Sequence, residues 1–138
     1  MRFTPSTCAA VAVLVALAIS SSVCSAYEDI GFNSPTGVIG CHFYQLHVRC
    51  DVEGGLVPMP SRPAGCDMNF GSGYYLDTHG RAGVVCATDR ARYNTLVLHY
   101  GTSMSRYGIT CASSFNGMRC TNADGHGFFI SRGEAYRF

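Results

Sequence analysis

An all-β fold is predicted, a small antiparallel sandwich or barrel of short hairpins stapled by three disulfides, and three observations predict it. Cysteines recur at one spacing, Cys41 with Cys50 and Cys111 with Cys120, each pair framing a segment that can fold back on itself. Short runs rich in β-branched and aromatic residues alternate with Gly, Asn, Asp and Pro, as strands alternate with turns. No stretch holds a 3.6-residue apolar period for three turns.

Residues 1–26 read as a cleavable export signal. Arg2 supplies the positive start, and Ala9 to Ile19 is an apolar run too short to span a bilayer. Cys24 and Ala26 give a small-x-small cleavage site before Tyr27. Lipid anchoring through Cys24 is the alternative, disfavoured because Val23 is a poor residue to precede an acylated cysteine. No other segment is apolar enough to cross a membrane. Residues 27–138 are therefore expected as a single secreted or extracytoplasmic β-domain of the cell envelope.

Removing the signal leaves Cys41, Cys50, Cys66, Cys86, Cys111 and Cys120, an even number in an oxidising space. Six cysteines allow 15 connectivities. Nearest-neighbour pairing is favoured because a turn signal lies inside each interval, and each short loop closed adds roughly 2.5–3 kcal/mol through unfolded-state entropy. Structural cross-links are favoured over redox chemistry. All ten basic residues are Arg, and nine remain after the signal against nine acidic residues. They are scattered singly, which excludes nucleic acid and an anionic membrane surface as partners.

The elements follow in chain order. Strands are expected at Val38–Phe43 and Leu46–Val52, forming a first hairpin in which Cys41 opposes Cys50, His42 opposes Arg49, Phe43 opposes Val48 and Tyr44 opposes His47. Alternation then puts Cys41, Phe43, Val48 and Cys50 on the core face. His42, Tyr44, His47 and Arg49 share the face toward solvent or a partner. The prolines at 58, 60 and 63 disfavour helix and central strand, so this stretch crosses between sheet elements; a proline-rich ligand motif is the sharper alternative. Further strands are expected at Tyr74–Leu76, Gly83–Ala87 and Thr95–Tyr100, with a short helix around Thr88 to Arg92 capped by Thr88 or Asp89.

Gly108–Cys111 and Gly117–Thr121 make the second hairpin, turning through Ser114-Phe115-Asn116-Gly117, where Asn-Gly tolerates positive φ. Phe115 is expected to fold back over Met118. Gly127–Ser131 is the last expected strand. Thr36-Gly-Val-Ile-Gly-Cys41 with Arg49-Cys50 echoes Tyr107-Gly-Ile-Thr-Cys111 with Arg119-Cys120, and Gly83-Val-Val-Cys86 repeats the opening. Such an echo need not mean duplication; a three-unit trefoil barrel stays open.

The motif order Phe32-Asn-Ser-Pro-Thr-Gly-Val-Ile-Gly-Cys41, Val48-Arg-Cys-Asp51, Val85-Cys-Ala-Thr-Asp89 and Gly125-His-Gly-Phe-Phe-Ile-Ser-Arg132 resembles a family of small exported actinobacterial proteins with a domain of unknown function. The resemblance spans the chain after the signal and implies export, disulfides and one domain. It implies no catalytic residue.

Chemistry is sought at three places. Glycines flank His126, with Asp124 and Ser131 near in sequence, so a small hydrolase using His126 with Ser131 or Asp124 can be written. No nucleophile-elbow motif supports it. His42 and His47 share a hairpin face but lack a third ligand for zinc, so no metal and no cofactor is expected. Tyr74 and Tyr75, with other tyrosines, could present an aromatic surface. The favoured expectation is a binding module for an envelope or extracellular protein or a cell-wall glycan, through residues among His42, Tyr44, His47, Arg49, Tyr74, Tyr75 and His126.

Overall fold

A computed structural model describes residues 28–91 and 94–138. The export signal, Cys24 and Arg92 at the end of the expected helix lie outside the described residues. All three nearest-neighbour disulfides are present, Cys41–Cys50, Cys66–Cys86 and Cys111–Cys120.

Among the described residues, eleven strands build two sheets and no helix occurs. Sheet A is a meander of β1 (Ile30–Asn33), β2 (Ile39–Tyr44), β3 (His47–Val52), β4 (Phe70–Asp77) and β5 (Gly83–Cys86), with β6 (Leu96–Val97) added parallel to β1. Sheet B is a second meander of β7 (Ser103–Arg106), β8 (Ile109–Ser114), β9 (Gly117–Thr121), β10 (Gly127–Ile130) and β11 (Ala135–Arg137). Their inner faces form one core in which Phe32, Phe43, Leu76, Ile109, Met118, Phe128 and Ile130 are fully buried.

The first hairpin keeps the expected register from Cys41↔Cys50 to Tyr44↔His47. Cys41, Phe43, Val48 and Cys50 are all at 0% exposure. The second hairpin matches it with Cys111↔Cys120. Each disulfide joins the second and third strands of its meander, and the two meet at the centre, Cys50 Sγ lying 3.8 Å from Cys120 Sγ.

The two meanders share more than a disulfide. Tyr74 pairs with Cys50 and Phe128 with Cys120, and these rings touch across the core at 5.7 Å between centroids. Each ring follows a Gly-x-Gly segment, Gly71-Ser72-Gly73 or Gly125-His126-Gly127. The first glycine of each has positive φ, 80° and 78°. A Cβ on the second would lie 1.8 Å from Cys50 O or 2.0 Å from Cys120 O. Two matched five-stranded units therefore replace the trefoil alternative. The Gly83-Val-Val-Cys86 echo falls on the outer strand β5, whose counterpart β11 carries no cysteine.

Other expectations are corrected. Thr88–Ala91 forms no helix, because Asp89 turns to pair with Arg49 and the Ala91 N–H donates to Asp51 instead of building a first turn. The proline stretch lies between sheet elements, as expected. It belongs to a long excursion, residues 53–69, between the adjacent strands β3 and β4. Cys66–Cys86 pins its far end to β5, and the Ala135 N–H donates to Val57 O to tie it to β11. The left-handed two-residue hairpin turn is Tyr107-Gly108, with φ of 54° and 76°. The second hairpin does turn through Ser114-Phe115-Asn116-Gly117, with Phe115-Asn116 at its centre and Gly117 opposing Ser114. Phe115 does not cover Met118, whose side chain points into the core; it is 85% exposed and meets Tyr100 edge-on at 5.8 Å.

Gly73→Ala and Gly127→Ala should each destabilise the domain by about 1–3 kcal/mol, since neither carbonyl can retreat without breaking a sheet ladder. Gly133→Ala, with nothing within 4 Å of its added Cβ, should be nearly neutral. Urea unfolding of the oxidised protein measures all three, and an unchanged midpoint for Gly73→Ala would refute the β3–β4 register.

Candidate binding surface

The expected solvent set on the first hairpin divides in two. Near the turn, the Tyr44 ring meets His42 at 4.5 Å and His47 at 4.9 Å between centroids. Burial raises the Tyr44 hydroxyl above the usual phenol range. Among the described residues, no third ligand atom joins these histidines. The one grouping of potential ligands there is Cys50, Cys111 and Cys120, whose sulfurs are held in disulfides.

Arg49 departs from expectation, being 8% exposed. Its guanidinium donates to Asp51 Oδ2 at 2.8 Å, Asp89 Oδ1 at 2.9 Å and Asp89 O at 2.7 Å. Asp51 is fully buried and also accepts from Ser72 Oγ and the Ala91 N–H. Burial disfavours the Arg49 charge, but its bonds to Asp89 and Asp51 outweigh that and hold the guanidinium above its usual range. Arg49 thus fastens the 87–91 segment onto sheet A. A groove of about 480 Å³ beside it is bounded by His47, Tyr75, Asp77 and the Cys66–Cys86 bridge. The cation at its floor is already satisfied.

The two tyrosines have opposite fates. Tyr74 is 4% exposed and belongs to the core, so it offers no surface. Tyr75 faces outward, its ring lying where a Cβ on Gly83 would stand, 2.3 Å from Tyr75 Cζ. An outer ring laid over a cross-strand glycine recurs on sheet B, where Phe138 covers Gly127 and Phe129 covers Gly117.

Asp124 and His126 share one turn, but Ser131 does not join them. Ser131 Oγ donates to Glu134 O and accepts from the Glu134 N–H, closing the β10–β11 turn. The extended strand β10 separates it from His126 by about 16 Å of chain. His126 Nδ1 lies 3.4 Å from Phe138 O. Asp124 faces His79 at 3.2 Å and accepts from the Gly80 N–H, which, ahead of His79, holds its carboxyl below the usual range. The glycines around His126 serve strand geometry, as those around Ser72 do. Asn122 explains the loop itself: it accepts from the Asp124 and His126 N–H groups and donates to Asp77 O and Gly80 O, joining the end turns of the two sheets.

A second outward aromatic surface lies on sheet B, at residues that sequence reasoning did not single out. Ala112, Arg119, Phe129 and Tyr136 pair in one row across β8, β9, β10 and β11. Phe129 stacks on Tyr136 at 5.4 Å, Tyr136 meets Phe138 at 6.3 Å, and the Arg119 guanidinium lies 3.9 Å from the Phe138 ring centroid. Phe129, Tyr136 and Arg119 line a groove of about 640 Å³ together with Asn116 and Glu134. The alternation in Phe128-Phe129-Ile130 and Ala135-Tyr136-Arg137 was the available signal, one ring inward and the next outward.

The sequence matches a family of unknown function (DUF6636) over residues 9–138, and the chain belongs to that family. No curated protein and no solved structure matches it.

The Arg49 network makes a pH-dependent tie. The Arg49 hydrogen bond holds the Asp89 carboxyl below its ordinary value. A carboxyl depressed by folding contributes stability above its unfolded pKa and loses it as pH falls through the lower folded value. Wild type should therefore exceed Asp89→Asn in stability at neutral pH, with the gap closing below the ordinary aspartate range. Denaturation of both proteins across that range tests it; a gap independent of pH would exclude the ion pair as its source.

Proposed function

We propose that this member of the family is an exported binding module that works outside the cytosol by recognising a cell-envelope glycan through the outer face of sheet B. The three disulfides support an oxidising destination. Among the described residues, no helix is long and apolar enough to cross a membrane. The observation that carries the reading is the row of Arg119, Phe129 and Tyr136, with Phe138 beside it. Arg119 and Tyr136 are exposed and Phe129 is half-buried on the outward face, while Phe138 lies under the Arg119 guanidinium.

The chemistry suits a sugar. Rings lying over glycines present flat apolar area, which can pack against the C–H face of a pyranose while keeping little rotamer freedom to lose. Asn116, Glu134 and the Tyr136 hydroxyl stand around the rings and can exchange hydrogen bonds with sugar hydroxyls. The groove volume lies in the range that small ligands occupy. Catalysis is disfavoured because Ser131 is held by Glu134 at the far end of β10 from His126, and Asp124 is engaged by the Gly80 N–H and His79.

Co-sedimentation of the oxidised domain with insoluble envelope polysaccharide tests the reading. Wild type should be retained, and Tyr136→Ala should weaken retention about tenfold, the equivalent of one lost ring contact worth roughly 1–1.5 kcal/mol. His126→Ala should leave retention unchanged. Retention that survives loss of both Tyr136 and Phe129 would rule out this face.

A further inference from the structure

The duplicated frame gives Arg49 and Arg119 the same position, one residue before the third-strand cysteine of each meander. Their surroundings differ. Arg49 is buried and bonded to two carboxylates. Arg119 is exposed, and among the described residues it has no hydrogen bond and no ion pair. Its one described contact is the Phe138 ring beneath it at 3.9 Å. That ring in turn lies over Gly127, so the support is itself seated on the sheet.

An arginine stacked on a ring is oriented without using its donors. The ring attracts the face of the guanidinium, while the N–H groups radiate in its plane and stay free for a planar bidentate acceptor. The next residue in the row, Phe129, pairs directly with Arg119 across the strands and then with Tyr136. Adjacent strands lie about 4.8 Å apart, so Arg119 and Phe129 leave the sheet from neighbouring backbone positions. With Tyr136 they line one groove, which can take a sugar ring and its carboxyl substituent together. Glu134 is the opposing charge in the groove, in the turn two residues before Tyr136. It lies two strands away from Arg119, where it can accept from sugar hydroxyls.

We infer that this groove selects an acidic saccharide, a uronic-acid type of sugar whose carboxylate pairs with Arg119 while its ring packs on Phe129 and Tyr136. The inference rests on the glycan reading above and adds the charge of the ligand. A neutral sugar would leave the Arg119 donors to water. An acidic peptide would meet Glu134 without hydroxyl donors to offer it.

The test uses the oxidised domain with three probes: trigalacturonate, the neutral galactose trisaccharide and a short polyglutamate peptide. Titration calorimetry should give trigalacturonate at least about tenfold tighter binding than either other probe, the gain expected of a charge-assisted bidentate pair. Arg119→Gln should erase that preference and leave weak binding of both saccharides. Arg119→Lys should keep part of it, and added salt should narrow it. Amide shifts should centre on Arg119, Phe129 and Tyr136. Equal affinity for both saccharides, lost in Tyr136→Ala but indifferent to Arg119→Gln, would overturn the acid selectivity and leave glycan binding standing. Tightest binding of polyglutamate would overturn both, as would no saccharide binding at all. Because Arg119 is exposed, near-ultraviolet circular dichroism of Arg119→Gln should match wild type, and a mismatch is resolved by the Arg119→Lys arm.

Discussion

Two disulfides in van der Waals contact organise this molecule. Cys41–Cys50 and Cys111–Cys120 each fix a hairpin register, since bonding directly opposed residues forbids a one-residue slip that would invert every side chain. Their sulfurs meet at 3.8 Å between the sheets, so the same bonds also fix how the two sheets face each other. Tyr74 and Phe128 then pack beside them from matched positions. With the inward alternation set, the outward alternation follows: Arg49 and Tyr75 on one sheet, Arg119 and Phe129 on the other.

What could be seen in the sequence was whatever local spacing controls. Cys-x8-Cys framed both hairpins, and alternation named the buried face of the first one. The failures come from partners that spacing does not mark, near or distant along the chain, and from strand parity. Arg49 read as a surface residue because its buried partner Asp51 sits two positions on and the exposed Asp89 forty positions on, and nothing local marks either as its counter-ion. Tyr74 and Tyr75 read alike, although strand parity sends one inward and the next outward. The β4 strand was cut short because Gly71-Ser72-Gly73 looks like a turn; here glycine is required within the strand by the approach of Cys50 O.

The same comparison gives the feature that most resembled an active site a structural role. A histidine between two glycines invites a catalytic interpretation when it is seen once. Seen beside Gly71-Ser72-Gly73, it is the second copy of a device that starts the fourth strand of a meander. The first glycine takes a left-handed backbone and the second clears a carbonyl. His126 and Ser72 fill the variable position between them, and Ser72 is engaged with Asp51.

Duplicated frames are informative where their copies diverge, because the shared geometry removes fold as an explanation. Both meanders hold an arginine before the third-strand cysteine and an outward aromatic paired with it, Tyr75 or Phe129. In sheet A the arginine is enclosed by Asp51, Asp89 and the 87–91 segment, which makes it a fastener. In sheet B no segment among the described residues folds across it, Thr121 stands where Asp51 does, and Phe138 supports the guanidinium from below. Stability alone does not require that arrangement, since an exposed arginine over a ring contributes only about 0.5–1 kcal/mol. The difference between the copies is therefore concentrated at the outer face of sheet B, where the rings and the unengaged cation come together.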